Sequence, residues 1–316
     1  MAELIDELRQ IRSFYFLGMY TNVIQEAQRL PAHLQAHGNL WSIRAQIEMD
    51  PLKMAHELPD AGSIEQRALK LYAIYRSGDA SLKEQVVLQL TQLMQDPDII
   101  ANAFLQIYGT YIFIHENNYR DALQLSLLNV NTAEEQLEKL SLQALCLLAL
   151  NRWDLADAHL KQLQAVDDDD VLGQLVQCYV LLARGDATAI TEAHTAAQEL
   201  HERVGGSAVV YTLLGSIALA GHKHKDAFQW LKQAREWSVQ HLNTVRTDTL
   251  VDTMCAVYHR GGPTASTDDM LEKISAELAQ FQPTATYFQE KADLEAMFDR
   301  YAAQFSQDAK PLPQGL

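Results

Sequence analysis

AVVYTLLGSIALAGHKHKDAFQWLKQAREWSVQ, residues 208–240, decides the fold of this 316-residue chain. Tyr211, Leu214, Gly215 and Ala218 recur at three- and four-residue steps, and Ala227, Leu231 and Ala234 do the same beyond a short polar turn. Two stripes of helical period separated by such a turn predict two antiparallel helices, with small residues where the backbones approach. Moving outward, Tyr119-Arg-Asp-Ala122 and Trp153-Asp-Leu-Ala156 repeat the start of the second helix, and the alanines at 122, 156, 193 and 227 are 34, 37 and 34 apart. Thr110, Ala144 and Cys178 occupy the Gly215 position at intervals of 34 or 37. The extra three residues are expected in the turn around Arg184 to Thr188.

Thirty-four residues is the tetratricopeptide period, in which helix pairs stack into a solenoid because one pair cannot bury its own apolar face. Gly18-x-Tyr20-x-x-Val23-x-x-x-Ala27 carries the same signature near the start of the chain. Glycine and proline are sparse, 14 and 8, the prolines fall between periodic segments, and strand-like alternation is missing. The fold class is therefore all-α: a tetratricopeptide-repeat α-solenoid of about 17 helices in stacked antiparallel pairs. Residues 1–305 read as one solenoid, with degenerate pairs over 1–96, the clearest repeats over 103–240, and a final pair with a C-terminal capping helix over 241–305. Along that last helix Phe288, Ala292, Leu294, Phe298, Tyr301 and Phe305 are expected to reach an inner surface, and 306–316 to be a mobile tail.

Composition narrows the function. With 41 acidic against 25 basic residues the formal charge is -16, a field that repels a nucleic-acid backbone. The first residues lack the basic flank and apolar stretch of a signal peptide, and no segment approaches the roughly 18 apolar residues of a membrane span. Cys146, Cys178 and Cys255 are scattered without CxxC spacing inside apolar stretches, which reads as reduced structural thiols. Nucleotide, zinc-protease and serine-hydrolase motifs are missing, so no catalytic residue, cofactor, metal ligand or small-molecule substrate is assigned. Asp167-Asp168-Asp169-Asp170 lacks the glycine and glutamate of a calcium loop and is read instead as a helix cap before Val171. His222-Lys-His224-Lys reads as a solvated basic turn.

In a tetratricopeptide stack the first helices line the concave face. Numbering repeats from Ala103, Leu137, Val171 and Ala208 places Tyr108, Tyr111, Leu145, Leu148, Leu175, Tyr179 and Leu213 there, the candidate partner-binding groove. An open face of this composition exceeds the apolar patch a soluble monomer normally exposes. Burying ~800 Å² of it at roughly 25 cal/mol per Å² yields a gross term near 20 kcal/mol, ample for a persistent complex. The alternative is that the solenoid curls tightly and packs the stripe against itself. A groove that grips a C-terminal carboxylate, as in co-chaperones, needs Lys, Arg and Asn at these positions and finds almost none.

The order of motifs resembles one family, the epsilon subunit of the COPI coatomer. Tyr15-Phe16-Leu17-Gly18-Met19-Tyr20 with Ile24-x-Glu26-Ala27-Gln28 looks like its N-terminal segment. Trp153-Asp154-Leu155-Ala156, Leu160-Lys161-x-x-Gln164, the acidic run and Leu172-x-Gln174-Leu175 are similar to its central stretch, and the likeness continues through Gly262-Pro263 to Phe298-Asp299-Arg300. The aromatic pair at 15 and 16 stands in swapped order, and 30–65 and 243–260 match only loosely. The resemblance implies a non-catalytic coat subunit whose solenoid curls around the C-terminal region of alpha-COP. It implies a cytoplasmic protein, peripheral on Golgi membranes and COPI vesicles, serving retrograde Golgi-to-ER and intra-Golgi transport. A generic tetratricopeptide adaptor or co-chaperone is the alternative.

Overall fold

The computed structural model describes residues 2–60, 62–78, 80–96, 101–128, 133–242, 245–262, 264–281 and 286–308. Seventeen α-helices, one short 3-10 turn and no strand occur among these residues. In the N-terminal half α1 (Ala2–Phe16) pairs with α2 (Tyr20–Arg29), α3 (Gln35–Met49) with α4 (Pro51–Glu57), and α5 (Ile64–Arg76) with α6 (Ala80–Leu93). The clear repeats follow: α7 (Ala103–His115) with α8 (Tyr119–Ser126), α9 (Ala133–Ala149) with α10 (Trp153–Val166), α11 (Val171–Arg184) with α12 (Ala187–Val204), and α13 (Ala208–Ala220) with α14 (His224–Leu242). Finally α15 (Thr247–Gly261) pairs with α16 (Ala265–Phe281), and α17 (Thr286–Asp308) is the last element described.

The turn inside each pair explains why so degenerate a sequence keeps one architecture. Gly18, Asn117, Asn151 and His222 all have positive φ and all stand two residues before a second helix. In each turn the next amide reaches back five residues, Met19 to Phe14, Asn118 to Phe113, Arg152 to Leu147 and Lys223 to Ala218, at 2.8 Å in all four. These are Schellman turns, which consume the free carbonyls of the first helix and send the chain back antiparallel. Asparagine and histidine replace glycine here because they tolerate the left-handed region better than other side chains. The turn at Gly185 has the simpler single bond, from its amide to Leu181 O at 3.2 Å, and is followed by an Asp186 cap on the Ala189 amide.

That turn is not where the extra residues lie. The second helices begin at 119, 153, 187 and 224, intervals of 34, 34 and 37, so the insertion falls within α12 and the Gly205–Ser207 link, not around 184–188. Ala189, Ala193 and Ala197 are all fully buried on α12, and one alanine per turn offers several registers that the sequence alone cannot separate. Packing inside a pair is close at Gly215, where an added Cβ would stand 2.5 Å from Leu231 Cγ.

Successive first helices form the inner wall, and the stack curls until α1 packs against α11. Arg9 pairs with Asp167 and Arg12 with Asp170, joining residues 158 positions apart. Arg12 is 1% and Asp170 2% exposed, so the pair sits inside the protein. Leu17 enters the same apolar cluster as Leu175, Val209 and Leu213, with Phe16 and Met19 beside it. The ring is thus closed by its own N-terminal helix and the turn after it, against α11 and α13, while α15 continues past the junction.

Helix α17 departs from the expected cap. Tyr287 and Phe288 pack against the cluster of Leu250, Val257 and Leu278 on α15 and α16, but Leu294, Phe298 and Tyr301 are 61–73% exposed instead of reaching an inner surface. The Phe305 side chain lies outside the described residues, as does 309–316 of the expected tail, whose first residues, 306–308, complete α17. Cys146 and Cys178 are buried, and burial pushes both thiols up to about 12; Cys255, expected inside, is exposed. Among the described residues no helix is long and apolar enough to cross a membrane.

Candidate functional site

The inner wall has two chemically different halves. Toward the N-terminal side, Tyr15 of α1, Trp41 and Arg44 of α3, Tyr72 of α5 and Tyr108 and Tyr111 of α7 converge. The Arg44 guanidinium lies 4.0 Å from the Trp41 ring centroid, 4.7 Å from that of Tyr15 and 5.4 Å from that of Tyr108, and pairs with Glu138 of α9. Tyr111 donates to the same carboxylate at 3.2 Å. Glu48 accepts from Tyr72 at 2.8 Å and from Arg76 at 3.1 Å, which extends the network to a second, partly buried acid. A guanidinium with little water left around it is held by ring faces and one carboxylate together, each insufficient alone.

Burial raises the hydroxyl pKa of Tyr15, Tyr72, Tyr108 and Tyr111 above the ordinary tyrosine range, and nearby Glu48 or Glu138 adds to the effect. For Arg44 burial opposes the charge, yet Glu138 and the surrounding tyrosines outweigh it and raise its pKa. The Tyr108 hydroxyl and Arg44 Nε are buried without a hydrogen-bond partner among the described residues. Acids and bases here pair with one another, an arrangement that fixes shape. No group of three or more His, Cys, Asp or Glu suited to a metal occurs among the described residues.

The seven groove residues divide between this network and the walls beyond it. Tyr108 is 1% exposed and Tyr111 half-buried, both packed with Tyr72. Leu175 and Leu213 are buried in the cluster that receives Leu17, and half-buried Tyr179 packs against it. Leu148 is half-buried beside the separate cluster of Leu140, Leu147 and Val176, and Leu145 is also half-buried. The structure therefore brings Leu175, Tyr179 and Leu213 together, and Tyr108 with Tyr111, but spreads the set over three clusters. Tyr111, Leu145, Leu148 and Tyr179 keep accessible surface.

Of the charged members of this face, repeat numbering places only Glu138 among the groove positions. Glu138 stands at a repeat position that holds Phe104, Leu172 and Val209 elsewhere, and that mismatch was the one local signal. Arg12 and Arg44 lie in degenerate segments where no repeat position flags them. The acidic run does cap α11, through Asp170 Oδ1 and the Leu172 amide at 2.8 Å, but its second role as the anchor for Arg9 and Arg12 carried no local signature. The basic turn holds His222 at positive φ, with His224 stacked on His259 at 4.9 Å.

The family described as coatomer epsilon subunit matches residues 4–306. Coatomer subunit epsilon-2 of Oryza sativa subsp. indica is 27% identical over 212 residues, 65% of this chain and 69% of that protein. Coatomer subunit epsilon-1 of Arabidopsis thaliana is 27% identical over 63% of this chain and 66% of its own length. Coatomer subunit epsilon of Dictyostelium discoideum is 21% identical over 95% of this chain and 99% of its own.

Proposed function

The chain belongs to the coatomer epsilon subunit family and is a COPI coat component that partners with the rest of coatomer, and on that premise we propose that its inner face binds the C-terminal domain of alpha-COP. The role is structural and non-catalytic: the solenoid holds a protein segment and supports retrograde Golgi-to-ER and intra-Golgi transport. It acts from the cytoplasm, peripheral on Golgi membranes and COPI vesicles through the assembled complex, without nucleic acid, small-molecule substrate or direct membrane insertion.

The observation that carries this reading is the residual apolar surface of the first helices. Tyr111, Leu145, Leu148 and Tyr179 stay half-buried on a wall where the chain itself covers Tyr108, Leu175 and Leu213. Aromatic and aliphatic anchors beside a desolvated charged network are the composition of a binding hot spot. Tyr108, Leu175 and Leu213 lie beneath them and shape that wall.

Affinity purification of the full chain from cytosol at moderate salt, with mass identification of stoichiometric partners, tests it. Recovery of alpha-COP with the other coat subunits is the expected result. Recovery of a chaperone or another lone protein in their place would overturn the coat reading and favour the generic adaptor.

A further inference from the structure

On α17 Leu294, Met297, Phe298 and Tyr301 are 66, 45, 73 and 61% exposed. Their spacing of three and four residues puts them on one exposed helical face. Glu295 and Asp299 line the shallow depression beside Leu294 and Phe298. Over 286–308 five acidic residues face two basic ones, a net charge of -3 on a single helix.

We infer that this face is a second docking surface, separate from the inner wall, for an amphipathic helix of another protein whose apolar seam is flanked by Lys and Arg. A second copy of the chain fits poorly. Each copy carries a charge of -16, and apposing two such helices would bring acidic flanks together. Size argues the same way: four partly exposed side chains offer on the order of 500 Å², short of the ~800 Å² per partner of a stable pair. A contact of that area adds strength where components are already held together, because tethering turns it into an intramolecular event. The inference rests on the reading that the chain is built into a multi-subunit coat, and its partner is defined by chemistry alone.

The test uses the full chain and two helical peptides of about 20 residues with the same leucine seam, one flanked by lysines and one by glutamates. Binding is read by fluorescence anisotropy at ~0.1 M salt, where charge at this range is still felt. The lysine-flanked peptide is expected to bind at least about tenfold more tightly. Phe298→Glu with Tyr301→Glu is expected to abolish that binding at unchanged helix content, since both side chains are exposed and support no core. Equal affinity for the two peptides, binding of neither, or binding that survives the double variant would overturn the inference. A concentration-dependent dimer in sedimentation that the double variant dissolves would assign the face to a second copy instead. Because the double variant reports on α17 alone, failure here is distinct from failure to recover coat subunits in the purification.

Discussion

Removing the Arg12 side chain should open the ring. Arg12 and Asp170 are 1% and 2% exposed, and Asp170 also accepts from the Leu172 amide at 2.8 Å. Arg12→Ala leaves the carboxylate buried with its cap bond but without its counter-charge, a loss of about 3–5 kcal/mol. Asp170→Ala strands the guanidinium and removes the cap as well, a further ~0.5–2 kcal/mol. Arg9 is 37% exposed, so Arg9→Ala should cost no more than about 1 kcal/mol. Arg12 Nε and Nη1 have no hydrogen-bond partner among the described residues, so the native pair is itself incompletely compensated. Arg12→Leu combined with Asp170→Asn keeps an acceptor for the cap, buries no charge, and should recover most of the loss. Equilibrium urea unfolding followed by circular dichroism gives the magnitudes, and hydrogen exchange gives the place: α1 and α2 should exchange faster in Arg12→Ala before α12 does. A loss below about 1 kcal/mol with unchanged exchange at α1 and α11 would refute closure by this pair.

Four further predictions follow from buried groups and turns. Tyr108→Phe should be neutral or stabilising by up to about 1 kcal/mol, because its buried hydroxyl has no partner among the described residues, while Glu138→Ala, which strands Arg44, should cost about 3–5 kcal/mol; urea midpoints of the two variants separate these outcomes. Tyr15, Tyr72, Tyr108 and Tyr111 have raised folded pKa values, so their contribution is intact below the unfolded value near 10 and is lost as pH climbs through the folded values; Tyr108→Phe should lessen that alkaline loss. Burial lowers Lys139 to about 8, so its protonated form penalises the fold and stability should rise from pH ~8 toward ~10; Lys139→Met should flatten that rise in pH-dependent urea titrations. His222→Gly should stabilise by a few tenths to about 1 kcal/mol, since φ at His222 is +57°, and a lower melting temperature would contradict this account of the turn.

What the sequence made legible is what repeats locally. Helix pairs, their turns and the tight approach at Gly215 each recur every 34 residues, and a repeated local signal survives the loss of any one consensus residue. Register within α12 was lost because Ala189, Ala193 and Ala197 are interchangeable by type, although only helix starts at 119, 153, 187 and 224 locate the insertion. Closure was invisible because Arg12 and Asp170 are 158 positions apart and each has an ordinary local role, one on a helix and one as a cap. The stripe on α17 was legible as amphipathic, but periodicity does not say whether its apolar side meets the same chain or another. In the groove, repeat position found the wall, and only the structure separated buried Tyr108, Leu175 and Leu213 from accessible Tyr111, Leu145, Leu148 and Tyr179.

Hydrogen exchange of the full chain with and without the purified C-terminal domain of alpha-COP tests the central claim most directly. Protection concentrated on the first helices α7, α9 and α11, around Tyr111, Leu145, Leu148 and Tyr179, with the outer helices α10 and α12 unchanged, is the predicted result. Protection confined to the outer helices, or no change at saturating domain, would contradict it.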